Sequence, residues 1–309
     1  MVRIDLRNSF ARIEYAYTWF DYAIALPFLA LLPRFAGRAL AKLRGNFHFA
    51  LKRDWRAFSF EDSQLHLRTW QAYATICPHL NARKIRRLVR RRYIAQSLEE
   101  YETYLLIRGK FTPEEVEYIN FDAVKSYTDL NPHTVFVTGH IGPSVMASVC
   151  ISKFGIPLMG MSSNITRDER VHPAIQRFYT EKYRVFAQYT NEGSIVDAEG
   201  NTLKFFRHIS KHGSVVIIGD LPPLNSSEQI TYESFFNEIR GFAGGPRKLA
   251  NHAGTKVIGF VCRYNEGRYQ MEFSSPDENA YQFLEQQIAR EPEQWWAADL
   301  LPLFPKAPD

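Results

Sequence analysis

Three short runs of β-branched and aromatic residues constrain this chain most: "TVFVTGH" (134–140), "SVVIIGD" (214–220) and "KVIGFVCRY" (256–264). Stretches with helical patterning, among them "HPAIQRFYTEKY" (172–183) and "NTLKFFRHISKHG" (201–213), alternate with them. Short apolar runs bounded by glycine and polar residues read as buried strands, and their alternation with helices builds a sheet covered on both faces. The expected fold is therefore α/β: a mixed or mostly parallel sheet flanked by helices, with an N-terminal helical segment that associates with a membrane or a partner.

The texture changes near residue 120. Residues 1–120 read as an N-terminal helical region and residues 121–309 as the α/β core; no repeat, low-complexity tract or Pro/Ser linker separates them, so one folded unit is expected. A chain of 309 residues can bury a large core. Cys77, Cys150 and Cys262 stand far apart among apolar neighbours and form no C-x-x-C pair, which predicts buried thiols in a reducing compartment. Arg3, Asp5, Arg7, Arg12 and Glu14 precede the first apolar stretch, and no small-residue cleavage site follows it, a pattern unlike a secretory leader. The expected location is the cytoplasm, or a peripheral position on the inner face of the cell membrane.

That stretch, "YAYTWFDYAIALPFLALLPRFAG" (15–37), approaches the length of a membrane span, but Asp21, Pro27 and Pro33 make it a poor one. Its aromatic first half and the Arg34, Arg38, Lys42 and Arg44 that follow suit either a helix lying in a membrane interface or a core helix. A second block, "NARKIRRLVRRRYIAQ" (81–96), keeps Ile85, Leu88 and Val89 on one face and carries seven cations from Arg83 to Arg92. With a formal net charge of +5, the chain favours acidic partners. Arg83, Arg86, Arg87, Arg90 and Arg91 are the expected contacts with a membrane surface or an acidic carrier, unless they form only a solvated face. Nucleic acid would explain the charge but not the apolar N-terminus, and is not expected as a partner.

His140 follows an apolar run directly and stands in a turn with Gly139 and Gly142, where open α/β sheets place their ligands. Histidine changes charge near neutrality, which suits it to taking a proton from an alcohol or amine, a contribution of about 10²–10⁴-fold in rate. Asp220 ends the second strand run in the same way, as a functional carboxylate or a turn former. Gly244, Gly245 and Pro246 open a helix whose free N–H groups, with Arg247 nearby, would bind an anion or polarise a carbonyl. The segment lacks the G-K-[ST] of a phosphate loop, "GPSVM" around Ser144 is not G-x-S-x-G, and no metal-ligand spacing occurs among the nine histidines. No metal is expected.

Taken in order, "VTGHIGPSV", "IIGDLPP", "FFNEIRGFAGGPRKLANHAG" and "EPEQWW", behind an apolar and a basic helix, resemble the bacterial lipid A biosynthesis acyltransferase family, the lauroyl and myristoyl transferases among the H-x4-D/E acyltransferases. The likeness extends over nearly the whole chain. It implies transfer of an acyl group from a carrier thioester, acyl carrier protein or coenzyme A, to a hydroxyl or amine acceptor. His140 would be the base, and the thioester a co-substrate with no further cofactor. The family's partner carboxylate falls on Val145, which cannot accept a hydrogen bond from an imidazole, and Pro143 and Ser144 replace the usual Asn and Trp. Ser144 and Asp220 are the candidates to orient His140 instead. With a weakened base, an amine acceptor would need less help than a hydroxyl, which points to specialised lipid or secondary-metabolite chemistry. The alternative is a non-catalytic acyl- or carrier-binding protein on the same fold.

Overall fold

The computed structural model describes residues 9–111, 113–211, 213–223, 230–265 and 267–308. Arg3, Asp5 and Arg7, on which one expectation rests, lie outside them. The N-terminal region is helical: α1 (Ser9–Phe20), a π-helical turn (Asp21–Ala25), α2 (Leu26–Leu29), α3 (Arg34–Ala50), α4 (Trp55–Ser59), α5 (Leu65–Ile76) and α6 (Ala82–Ile107). Among the described residues no helix is long and apolar enough to cross a membrane.

The longest of these helices, α6, starts where Asn81 caps it by accepting the Lys84 N–H. Helix α3 lies close along it because Gly37, Ala41 and Gly45 fall four residues apart, on one face. A Cβ on Gly45 would stand 2.6 Å from the Ile94 Cα, and one on Gly37 would stand 2.5 Å from the Leu29 carbonyl oxygen. Arg44 is set into this tight contact. Its guanidinium donates to both Asp21 oxygens at 2.8 and 2.5 Å, to Glu100 at 2.7 Å and to Ser97 at 2.9 Å. Burial opposes ionisation of Asp21, but the Arg44 charge outweighs it and holds the carboxyl below its ordinary range. Asp21, one of the residues that make "YAYTWFDYAIALPFLALLPRFAG" a poor span, is thus the anchor of a buried ion cluster.

The core follows as β1 (Val116–Ile119), α7 (Phe121–Leu130), β2 (Val135–Thr138), α8 (Ser144–Cys150), β3 (Leu158–Ser162), α9 (Pro173–Ala187), β4 (Ser194–Asp197), α10 (Thr202–Lys211) and β5 (Ser214–Ile218). It continues through β6 (Ile230–Phe235), β7 (Glu238–Ala243), α11 (Gly245–Ala253), β8 (Val257–Asn265), β9 (Arg268–Phe273) and α12 (Ala280–Arg290). Seven strands form one sheet in the order β1-β9-β8-β2-β5-β3-β4, while β6 and β7 pair separately as an antiparallel hairpin. The strands from β8 to β4 run parallel; β9 is antiparallel to β8 and carries β1 parallel to itself. The sheet is mostly parallel, as the alternating texture predicts.

Alternate residues along a strand face opposite ways. Val135, Val137, Val215 and Ile217 pack with α10, α11 and α12, and Phe136, Val216, Ile258 and Phe260 pack with α7 and α8. The first of these clusters also takes in Ala72, Tyr73, Val89 and Tyr93 of α5 and α6, so the helical region and the sheet share a core. Arg92 seals that junction: it is fully buried, pairs with Asp54 at 2.8 Å and Asp299 at 3.3 Å, and donates to the Trp296 carbonyl at 2.7 Å. The basic block is therefore not a uniform surface, because its last arginine belongs to the interior.

After β2 the chain turns to one face through α8 and returns at β3, whereas after β5 it takes the opposite face through the β6–β7 hairpin and α11 to reach β8. Adjacent parallel strands whose connections leave in opposite directions open a crevice at their carboxyl ends. That rule points to the carboxyl ends of β2 and β5. Replacing Arg44 by Met should leave Asp21 and Glu100 buried without their cation and cost about 3–5 kcal/mol, read as a lower urea midpoint with an unchanged slope.

Candidate active site

Strands β2 and β5 are in register, with Thr138 beside Ile218, and the pairing extends one step further as the Gly219 N–H donates to the Thr138 carbonyl at 2.7 Å. Two residues beyond the end of each strand stand His140 and Asp220. The Asp220 carboxylate is fully buried and meets His140 twice: Oδ1 lies 2.8 Å from Nδ1 of the ring, and Oδ2 accepts the His140 backbone N–H at 2.7 Å. A third donor, Nε1 of Trp295, reaches Oδ2 at 2.7 Å. Burial opposes the charge on Asp220, yet His140 and the Trp295 N–H overcome it and hold the carboxyl below its ordinary range.

An ionised carboxylate can only accept, so Nδ1 carries a hydrogen, and in the neutral imidazole the lone pair is on Nε2. This is the tautomer a general base needs. Glycine on both sides of the histidine keeps the turn tight. A Cβ on Gly139 would come within 3.0 Å of Asp220 Oδ2, and Gly142 has φ +53° with the Cys262 carbonyl 2.7 Å from where its Cβ would be. Gly139 and Gly142 therefore shape the turn.

The C-terminal segment clamps the turn from outside. Ile141 forms an antiparallel bridge with Trp295, the Gly142 N–H donates to the Gln294 carbonyl at 2.8 Å, and the Trp296 N–H donates to the His140 carbonyl at 3.0 Å. Trp296 also sets its ring edge-on to the imidazole, centroids 4.4 Å apart. Trp295 is fully buried against Phe235 and Phe236 of the hairpin. Both tryptophans belong to the site. The motif "EPEQWW" flagged them in the sequence, but nothing local tied them to His140.

Ser144 is not an orienter of His140. Its hydroxyl donates to Glu99 at 2.9 Å, and the Val145 N–H donates to the same carboxylate at 3.1 Å. Glu99, on α6 and itself held by Lys182 at 3.2 Å, thus caps the first turn of α8. Val145 is buried in the apolar cluster beneath. Helix α11 leads back to β8, whose first residue pairs with Val135 at the start of β2, so the Gly244–Gly245 end of α11 lies toward the sheet edge that carries His140. No side chain caps that end, and Arg247 is ion-paired with Glu233. Arg83, Arg86, Arg87, Arg90 and Arg91 are all exposed along α6, with Arg91 paired to Glu293 at 2.7 Å.

Behind the turn, Gly142 and Pro143 line a cavity of about 200 Å³ whose other walls include Arg38, Lys42, Arg91 and Glu102. Glu102 is buried, and burial, opposed by Arg38 and reinforced by Glu99, pushes its carboxyl from 4.5 up to about 7. The three cysteines are buried, and burial lifts the Cys150 thiol to about 12. No protein-family model matches the chain, and no curated protein matches it in sequence.

Two outcomes follow from this geometry. Trp295→Phe keeps a ring in place but leaves a buried Asp220 acceptor short of a donor, a loss of about 1–3 kcal/mol in chemical denaturation. A raised folded-state carboxyl stabilises fully below its unfolded value and loses that contribution as pH climbs, so Glu102 should weaken the fold as pH rises from 4.5 through about 7. Comparing thermal midpoints across that window, the slope should flatten in Glu102→Gln.

Proposed function

We propose that the protein is an acyltransferase in which His140, oriented by Asp220, acts as general base on a hydroxyl or amine acceptor. The hydrogen-bonded His140–Asp220 pair at the carboxyl ends of β2 and β5 carries this reading. The order of the four motifs, which resembles that of the lipid A biosynthesis acyltransferases, supplies the reaction class. The acceptor's oxygen or nitrogen attacks the carbonyl carbon of an acyl thioester as Nε2 removes its proton. The tetrahedral intermediate then expels the thiolate, which takes that proton from the imidazolium. One C–O or C–N bond forms, one C–S bond breaks, and no redox partner is required.

Asp220 bears on the acceptor. A carboxylate beside Nδ1 fixes the tautomer and stabilises the imidazolium, so the base is strong enough for a hydroxyl and the argument for an amine loses its footing. In this reading the uncapped N–H groups at Gly244 and Gly245 stabilise negative charge on the thioester oxygen, and the Arg247–Glu233 pair holds that end in place. The donor is an acyl carrier protein or coenzyme A thioester, and the protein works in the cytoplasm or at the inner face of the cell membrane.

The test is thiol release from long-chain acyl-CoA and acyl carrier protein thioesters in the presence of a lipid extract or a panel of alkyl alcohols and amines. Acceptor-dependent release should fall by about 10⁴ in Asp220→Asn, which preserves shape but spoils the tautomer, and by a comparable factor in His140→Ala. Release that proceeds at the native rate in His140→Ala removes the base and the mechanism with it.

A further inference from the structure

Helices α3 and α6 border a cavity that the acyl-transfer reading does not use. Arg38 and Lys42 stand four residues apart on α3, and Arg91, Ala95, Leu98 and Glu102 follow one another at intervals of 4, 3 and 4 residues on α6, so each set faces the same space. Gly142 and Pro143 of the His140 turn close it, while the His140 ring is not part of its wall. Ile94, Leu98, Pro143 and Tyr264 give it apolar sides. At about 200 Å³ it falls below the roughly 300–1,000 Å³ of pockets for drug-sized ligands, which excludes a whole lipid or a nucleotide.

The charges around this space do not cancel. Arg91 is held by Glu293 at 2.7 Å, and Arg38 donates through Nη1 to Glu102, which is 1% exposed. Lys42 is exposed and forms no ion pair among the described residues, so three cations face two carboxyls and one positive charge is left over. Arg38 also has donors to spare. A guanidinium carries five, and its Nε is buried with no acceptor among the described residues. The group lies 3.2 Å over the Tyr264 ring, which holds it at the wall. One spare charge suits a monoanion, because the second charge of a phosphate monoester would stand beside Glu102 and Glu293. Apolar sides add the requirement of an apolar body behind the charged head.

We propose that this cavity binds a small monocarboxylate with an apolar body, its head on Lys42 and Arg38 and its body against Ile94, Leu98 and Pro143. The site stands apart from the acyl-transfer reading. Its binding is coupled to a proton on Glu102. Around that carboxyl stand Arg38 from α3, the Tyr269 hydroxyl from β9, the Cys262 thiol from β8, which burial keeps neutral, and Glu99 of the same helix, itself held by Lys182 from α9. Burial pushes Glu102 up to about 7, with Arg38 as its main counter-charge. A bound carboxylate that draws on Arg38 adds negative charge beside Glu102 and favours its neutral form, so affinity is full below about 7 and falls as pH rises from there.

The experiment is calorimetric titration of the full chain with benzoate and hexanoate, against acetate, benzyl alcohol and inorganic phosphate. At least one of the two apolar carboxylates should bind at one site with a Kd of about 1 mM or tighter. The other three, which lack the body, the charge or the single charge, should bind at least about tenfold more weakly. Lys42→Gln, at an exposed and unpaired position, should weaken binding by about fivefold. Ala95→Phe should abolish it by filling the cavity, with circular dichroism unchanged in both variants. Between about pH 6.5 and about pH 8 the native affinity should drop several-fold, and that of Glu102→Gln should not. No saturation by either carboxylate at about 10 mM overturns the proposal. So does binding that Lys42→Gln and Ala95→Phe leave at native strength, which places the carboxylate elsewhere, or phosphate that binds as tightly as benzoate.

Discussion

Asp220 is a carboxylate without access to water, and a charge in that position persists only where donors surround it. Its three donors come from two segments, the His140 turn and the C-terminal "EPEQWW", while Asp220 itself stands just beyond β5. One buried charge therefore fixes the relative position of two strand ends and the segment that carries Trp295. The antiparallel bridge of Ile141 to Trp295 and the two flanking backbone hydrogen bonds repeat the same constraint in the main chain. The imidazole's orientation is a consequence of folding and needs no substrate to set it.

The missing motif carboxylate makes physical sense in these surroundings. Val145 points into the face lined by Met146, Val149 and Phe154, where an ionised side chain would pay heavily for desolvation. With Asp220 serving Nδ1 from the neighbouring strand, that position has no reason to carry charge. The carboxylate that does approach the start of α8 is Glu99, which takes the Val145 N–H and the Ser144 hydroxyl. Two acids thus divide what a single motif residue suggests: one orients the histidine, the other holds the helix that follows it.

How legible this was depended on range. Strand runs of unbroken β-branched residues announced a covered sheet, and the strand-end positions of His140 and Asp220 could be read from the glycines beside them. Pairing those two residues required knowing that β2 and β5 are neighbours, which skips two strands in chain order and leaves no local trace. Ser144 looked like a substitute because it adjoins Val145 in sequence, yet the first turn of α8 aims its hydroxyl at α6. Arg92 looked like one cation among seven, although its neighbours in space, Asp54 and Asp299, lie 38 and 207 residues away. The antiparallel β9 with β1 beyond it was likewise invisible, since a strand's direction is set by its connection and not by its composition.

The N-terminal hairpin shows the same logic with opposite sign. A helix normally buries its apolar stripe and wets its charges, and here Arg44 reverses the preference by neutralising Asp21 and Glu100 together in a contact that Gly37 and Gly45 make close enough to exclude water. The cluster shares that interior with Tyr22, Leu26, Leu29 and Ala41, while Ile13, Phe35 and Leu43 remain exposed on the outer side. The buried ion cluster therefore sits within an apolar contact and does not replace it, and its place depends on the two glycines that bring the helices together.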